Sequence, residues 1–287
     1  MNTSKLMLGT VQFGLKYGIA NQGGQVPYEQ VLEILAYAHQ NGIQYLDTAA
    51  EYGNAEEVLG RALKELKIDF NIVTKIPLLP EEADSVGAFI SSKLQRSMEL
   101  LGRSSLYGCL FHKEQNCIYA AELLKMQSKG LLQHCGVSLD SLAHPALAPE
   151  FDLVQLPYNI LDRRFEYILQ KPGLKKCVRS AFMQGLLLME HIPEHLQELQ
   201  PVRQRFEAIR HESGLSRQEF YMLYVLSKPE VDFLVFGVDS LAQLKQNIAI
   251  AKMPPLPESI MQQIETLRMD LPEKLLRPML WKTLIAN

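Results

Sequence analysis

An acid and a phenol stand five positions apart in the stretch Asp47–Gly60, which reads DTAAEYGNAEEVLG. Asp47 ends an apolar run, Ile43-Gln44-Tyr45-Leu46, that reads as a short buried strand. Tyr52 and Gly53 follow in a tight loop. Asn54 is then a helix N-cap candidate, with Glu57 in capping-box position. A loop residue held between two rigid elements is a usual place for chemistry. Taken alone, Asp47 equally suits a turn cap and Tyr52 a ring packed on a neighbour. Two further ionisable residues close later apolar runs: Lys75 in VTKI and His112 in LYGCLFH. A lysine in such a run loses its hydration unless it is paired.

The elements that must position these residues alternate. Strand-like runs are Lys5–Gly9, Ile43–Asp47, Phe70–Ile76, Leu106–His112, Gln133–Ser138, Leu153–Asn159, Cys177–Phe182 and Asp232–Gly237. Between them lie helical patterns at Gln30–His39, Glu56–Leu66, Val86–Leu101, Ala120–Lys129, Ser141–Ala148, Arg163–Gln170 and a longer region, Glu194–Leu226. A last helix, Leu241–Ala251, precedes a tail of further helical pieces. Eight such units, with no linker between them, predict parallel strands joined by helical crossovers. The expected fold is an α/β protein, a (β/α)8 TIM barrel with extra C-terminal helices, against an open doubly wound sheet as competitor. The whole of 1–287 is expected to form one barrel domain, with 255–287 as a helical tail that could approach the barrel mouth.

In a barrel the C-terminal ends of all strands meet on one face, where chemistry sits. Those ends are Gly9-Thr10, Asp47, Lys75, His112, Ser138, Tyr158-Asn159, Ser180 and Gly237. An acid, an amine and an imidazole from successive strands are hard to explain as core packing.

The formal net charge over 287 residues is −3. That balance gives no footprint for nucleic acid, and no clustered basic face points to a membrane. The four cysteines (Cys109, Cys117, Cys135, Cys177) form no CxxC pair. Their places, and the absence of a signal pattern in Met1–Lys5, predict a cytoplasmic protein. Oligomeric state has no sequence signal.

At the level of motifs the chain resembles the aldo-keto reductases over nearly its whole length. The resemblance rests on LGT at Leu8–Thr10, DTAAEYGNAEEVLGRAL from Asp47, VTK ending at Lys75 and the strand ending at His112. It continues through GVS at Gly136–Ser138, QLPYN at Gln155–Asn159, QGLL from Gln184 and VFGVDSLAQLKQN closing at Asn247. The opening LGTVQFGLKYGIAN also resembles members associated with bacterial glycan pathways, which points to a sugar-like substrate. The resemblance implies hydride transfer between a nicotinamide cofactor and a small carbonyl or alcohol, with Asp47, Tyr52, Lys75 and His112 as the catalytic set. The residue chemistry agrees. Reducing a carbonyl needs a proton donor for the developing alkoxide. A phenol titrates near ~10, and an ammonium at Lys75, held by Asp47, is expected to lower that value for Tyr52. His112 would orient the carbonyl oxygen or relay a proton.

The same resemblance implies a cofactor site. Ser138, Gln155 and Ser180 match residues that hold the nicotinamide, with Gly9, Thr10 and Asp47 as its floor. Ser240–Asn247 matches a helix start that grips the adenosine phosphate. Three positions depart from the family pattern. Leu139 stands where many relatives have asparagine. Arg179 takes the place of a stacking aromatic. Gly237 and Gln243 align with the lysine and arginine that bind the 2′-phosphate in NADP-preferring relatives, with Asp239 between them. An acid there suits a ribose 2′-hydroxyl. The cofactor expectation is NADP(H) by family default, with NAD(H) open. Tyr17, Tyr158 and Trp281 are candidate substrate walls. Trp281 equally suits an anchor of the tail to the barrel side.

No metal site is expected. His191 and His195 have i, i+4 spacing but Pro193 lies between them and no third ligand accompanies them. The alternative functions are a non-catalytic nicotinamide-binding regulatory or sensor barrel, and a sugar isomerase or lyase. The latter predicts paired carboxylates or metal ligands at strand ends, and neither is found.

Overall fold

The computed structural model describes residues 2–19, 21–80, 85–143, 147–267 and 269–285. Its centre is a closed parallel barrel of eight strands in chain order. They are β1 Leu6–Gly9, β2 Tyr45–Asp47, β3 Asn71–Ile76, β4 Leu106–Phe111, β5 Leu132–Ser138, β6 Leu153–Pro157, β7 Lys175–Arg179 and β8 Phe233–Gly237. Closure leaves no strand edge unpaired, and packing on both faces, against the helices outside and other strands inside, makes the strands read as near-continuous hydrophobic stretches.

Side chains alternate across a strand, and register carries one parity around the barrel. Gly9 pairs with Asp47, Ser138 with Gln155 and Gly9 with Gly237. Below this level, Met7, Val73, Leu110, Leu153, Cys177 and Val235 fill the interior as one apolar cluster. Tyr45, Tyr107 and Phe233 pack edge to face or tilted at its N-terminal end, with ring centroids 4.5–6.4 Å apart. The barrel is thus a filled core whose upper interior positions are polar. A second, larger cluster lies between the sheet and the surrounding helices.

Several expected elements change. The region 194–226 is a 3-10 turn, Glu194–Leu199, followed by helices Gln200–Ser213 and Arg217–Leu226. Gly214, at φ 70°, stops the first, and a capping box between Ser216 and Glu219 starts the second. The expected helix 141–148 falls partly outside the described residues, and Ser141–Ala143 are not helical. Only Glu166–Leu169 is helical in 163–170. β7 begins two residues earlier than expected and ends at Arg179, because Ser180 adopts φ 65°. Asn54 does precede the helix Ala55–Leu66, but without a side-chain cap. Its Oδ1 accepts instead from Gln25 Nε2 at 2.9 Å. Among the described residues no helix is long and apolar enough to cross a membrane.

One close approach sets the Tyr52 loop. Gly14 ends the short helix Val11–Gly14, and a Cβ there would come 1.8 Å from the Tyr52 carbonyl oxygen. Gly53, at φ 59°, meets the Gly14 carbonyl from the other side, where a Cβ would lie 2.4 Å away. Both partners are backbone, so neither can yield cheaply. Gly14→Ala is therefore expected to destabilise the fold by about 1–3 kcal/mol and to lower turnover by displacing Tyr52. A denaturant midpoint equal to that of the wild type contradicts this contact.

Candidate active site

Lys75 is fully buried in the upper barrel, with 0 % exposure. Its Nζ donates to Asp47 Oδ1 at 2.7 Å, to Oδ2 at 2.8 Å and to the Thr48 carbonyl at 2.9 Å. The Tyr52 hydroxyl lies 3.3 Å from the same nitrogen. Burial by itself would lower the pKa of Lys75, but the Asp47 carboxylate, helped by Tyr52, more than offsets this, and the net displacement is upward. Lys75 is an ammonium.

Asp47 is shared. Gln155 Nε2 donates to its Oδ1 at 2.7 Å, and Ser138 Oγ stands 3.4 Å from Gln155 Oε1. Thr10 Oγ1 donates to the Asp47 carbonyl at 3.0 Å. One polar chain thus runs from β5 and β6 across the barrel to the phenol.

Tyr52 differs from expectation in one respect. Burial pushes its pKa up, Lys75 pulls it down, and Asp47 and Tyr17 push it up again; the net is above the ordinary value. The resting phenol is therefore protonated, which suits a proton donor. Were the phenol to lose its proton, the phenolate would stand 3.3 Å from the ammonium.

His112 packs edge-on to Tyr52, with ring centroids 5.7 Å apart. Burial, then the charges of Lys75, Lys113 and Arg179, lowers its pKa to about 3. Glu51 Oε2 is 2.6 Å from Nδ1, but outside hydrogen-bond geometry, so among the described residues that buried nitrogen has no hydrogen-bond partner. The proximity still favours a proton on Nδ1. His112 is a neutral imidazole.

Asp47 and Tyr52 border a cleft of about 390 Å³, which Lys75 and His112 do not line. Gly9, Thr10, Gln155, Arg179 and Ser180 border it as well, as do Gly237, Asp239, Gln243 and Asn247. Tyr17 lines it too and receives a hydrogen bond from Gln184 Nε2 at 3.1 Å. Ser138 lies behind Gln155, off the cleft wall. Arg179 is tied sideways: its Nη2 donates to the Leu139 carbonyl at 2.9 Å and to Asp140 Oδ1 at 3.0 Å.

Two expectations for the substrate wall are corrected. Tyr158 is fully buried outside the barrel interior. It stacks on Tyr224, its hydroxyl lies 2.9 Å from that of Tyr224, and it donates to Glu166 at 2.9 Å. Trp281 is 3 % exposed, with Nε1 donating to the Leu275 carbonyl at 2.9 Å. It ties the tail to itself, and the helix it opens, Trp281–Ile285, packs on the 3-10 turn Glu194–Leu199. From the tail, Glu273 accepts from Arg164 Nη1 at 2.8 Å and Arg277 Nε donates to Asp140 Oδ2 at 2.9 Å.

Sequence reasoning missed Gln12, Asn21, Gln184, Gln218 and Gln246 on the cleft wall. The loop after β7 carried one usable signal, its QG pair. Ser180, Met183 and Gln184 there all have positive φ, a strained conformation that gathers at functional sites.

The cleft lining mixes apolar side chains with amides and hydroxyls that can bind a polar ligand, and among the described residues the buried Gln12 Oε1 has no hydrogen-bond partner. A strand-end acid, amine, phenol and imidazole beside such a cleft define a barrel oxidoreductase that takes a dinucleotide. The comparisons agree: the Aldo/keto reductase family model matches residues 5–268, and the chain belongs to that family. It is 24 % identical over 273 residues to the uncharacterized oxidoreductase YqkF of Bacillus subtilis, covering 83 % of this chain and 87 % of that protein. It is 27 % identical over 215 residues to an NADH-specific methylglyoxal reductase of Escherichia coli, covering 64 % and 65 % of the two chains. The holo form of an aldo-keto reductase from Bacillus halodurans superposes with a TM-score of 0.74 at 21 % identity, over 92 % of each chain. The protein is an NAD(P)-dependent oxidoreductase of the carbonyl-reducing kind.

The depressed His112 pKa has a consequence for stability. Unfolded, this group binds its proton near the ordinary value of 6.5, whereas folded it does so only at about 3. The stability it contributes is present above pH 6.5 and is lost as pH falls from there to about 3. Unfolding titrations across this window are expected to show a shallower acid loss in His112→Gln than in the wild type. Equal pH slopes for the two proteins contradict the buried neutral imidazole.

Proposed function

We propose that this chain reduces a small, sugar-like aldehyde or ketone to the alcohol, or runs the reverse, with Tyr52 as the proton donor. The observation that carries the reading is the Tyr52 hydroxyl on the cleft wall, 3.3 Å from a buried, carboxylate-held ammonium. The nicotinamide cofactor, when bound, supplies or accepts the hydride. Gly9, Thr10, Gln155, Ser180 and Arg179 would hold its reactive end, Asp239, Gln243 and Asn247 its far end.

The chain's own residues do the rest. Tyr52 gives its phenolic proton to the developing alkoxide. Lys75 then faces a phenolate at hydrogen-bond distance, and the pair is stronger for being out of water. Asp47 fixes Lys75 in place and keeps it charged. His112, neutral and set against the Tyr52 ring, orients the carbonyl beside the donor. In oxidation the phenolate is the base. The amide and hydroxyl lining, including Gln184 and Tyr17, suits a substrate with several hydroxyl groups.

Tyr52→Phe is expected to lower kcat by about 10²–10⁴-fold and to leave nicotinamide binding nearly unchanged. The check is single-turnover reduction of a panel of sugar aldehydes beside an equilibrium cofactor titration. Wild-type kcat in the variant removes Tyr52 from the role.

A further inference from the structure

The segment that carries Tyr52 is fastened to β3 at both of its ends. After β2 the backbone goes on pairing with β3. The Thr48 N–H donates to the Val73 carbonyl at 2.9 Å, and the Ala50 N–H to the Lys75 carbonyl at 3.3 Å. The chain then turns, and the Tyr52 carbonyl accepts from the Ala55 N–H at 3.1 Å as the helix Ala55–Leu66 begins. An acid in the first turn of that helix, Glu56, comes back to the same strand. Thr74 Oγ1 donates to Glu56 Oε1 at 2.5 Å, and both residues are buried.

A carboxyl group placed under a helix is costly unless it is hydrogen-bonded. Favour for an acid at a helix N-terminus does not account for it, because the neighbouring Glu57 meets that demand from the exposed side. Burial raises the Glu56 pKa above the ordinary carboxyl value, so an uncharged acceptor suits the place as well as a charged one. What the position uses is the bond to Thr74.

Side chains alternate across a strand. Lys75 points into the barrel, to Asp47 and to the Tyr52 hydroxyl, while Thr74 points out to the helix. Two adjacent residues of β3 thus grip the Tyr52 segment from opposite faces of the sheet. The phenol lies 3.3 Å from Lys75 Nζ, already beyond the commonest hydrogen-bond length. A small rise of the helix start would carry Tyr52 out of reach, while Lys75 stayed with Asp47.

We infer that Glu56 and Thr74 are positioning residues for proton transfer: their buried hydrogen bond sets the height of the Tyr52 segment over β3, and with it the distance from the phenol to the ammonium. The inference rests on Tyr52 as the proposed proton donor.

The test separates position from stability. Thr74→Val or Glu56→Leu alone leaves a buried polar group without its partner, so each should lower the denaturant midpoint. The double variant leaves neither group and should recover most of that loss. It should still lose kcat by about 10–10²-fold on the best of the sugar aldehydes, with KM and the affinity for reduced nicotinamide cofactor kept. Thr74→Val, which keeps its volume, should lose kcat to a similar degree. Glu56→Gln keeps an acceptor for Thr74 and should retain most of kcat. Wild-type kcat in the double variant or in Thr74→Val overturns the inference, and a Tyr52→Phe variant that is inactive then leaves the donor assignment standing. A Glu56→Gln variant as slow as the double also overturns it, because charge rather than the bond would then set the rate. Wild-type kcat in Tyr52→Phe overturns both.

Discussion

The buried Lys75 ammonium is the constraint on which the site depends. Removing an ammonium from water is costly, and only close, well-aligned partners offset it. Asp47 provides both carboxylate oxygens within 2.8 Å and Thr48 its carbonyl. Because Asp47 also receives Gln155, the charge is tied to β6 as well as to β2 and β3. This fixes the relative height of three strands at the upper end of the barrel. The Tyr52 loop is then seated on that chain from above and against Gly14 from the side. Position at the reacting centre is therefore a product of the core, with little left to the loop itself.

That arrangement divides roles by protonation state. The phenol is neutral at rest because it is buried, and the nearby ammonium offsets only part of that effect. The expectation that the cation makes the free phenol unusually acidic put the interaction at the wrong stage. In the proposed role of Tyr52 the cation matters once the proton has left, when a phenolate would stand beside it. His112 is held neutral by burial and by the cations around it. In the proposed mechanism Tyr52 is a neutral donor and His112 a neutral orienting ring beside the Asp47-held ammonium of Lys75, which matches what a carbonyl needs while it gains a hydride.

Much of this was legible in the sequence because strands have a period of two and barrels gather strand ends. Asp47, Lys75, His112, Gln155, Arg179 and Gly237 all fall on the inward parity of their strands. The same rule shows why Tyr158 was misplaced. Gln155 points inward, so Tyr158, three positions on, faces the helices, where it stacks on Tyr224. Ser180 breaks the rule in the other direction. It has the outward parity after Arg179, yet lines the cleft, because a left-handed turn at φ 65° reverses the chain there. Trp281 and Asn21 had no periodic frame at all. Their places are set by tertiary contacts of a tail and of a Gly-rich loop, which no local pattern encodes. Helix interiors such as Val86–Leu101 and Leu241–Ala251 were readable to the residue, whereas the break at Gly214 was passed over although its stop and cap residues were both present.

A double-mutant cycle on unfolding free energy tests most directly whether Lys75 and Asp47 act as one buried charged unit. Each single change, Lys75→Met or Asp47→Asn, leaves its partner charge buried and unpaired and is expected to cost about 3–5 kcal/mol. The double variant leaves neither charge and should cost less than the sum by about 1 kcal/mol or more. Additive costs within about 0.5 kcal/mol would show that the two side chains are energetically independent, and the basis for placing Tyr52 as the donor would be gone.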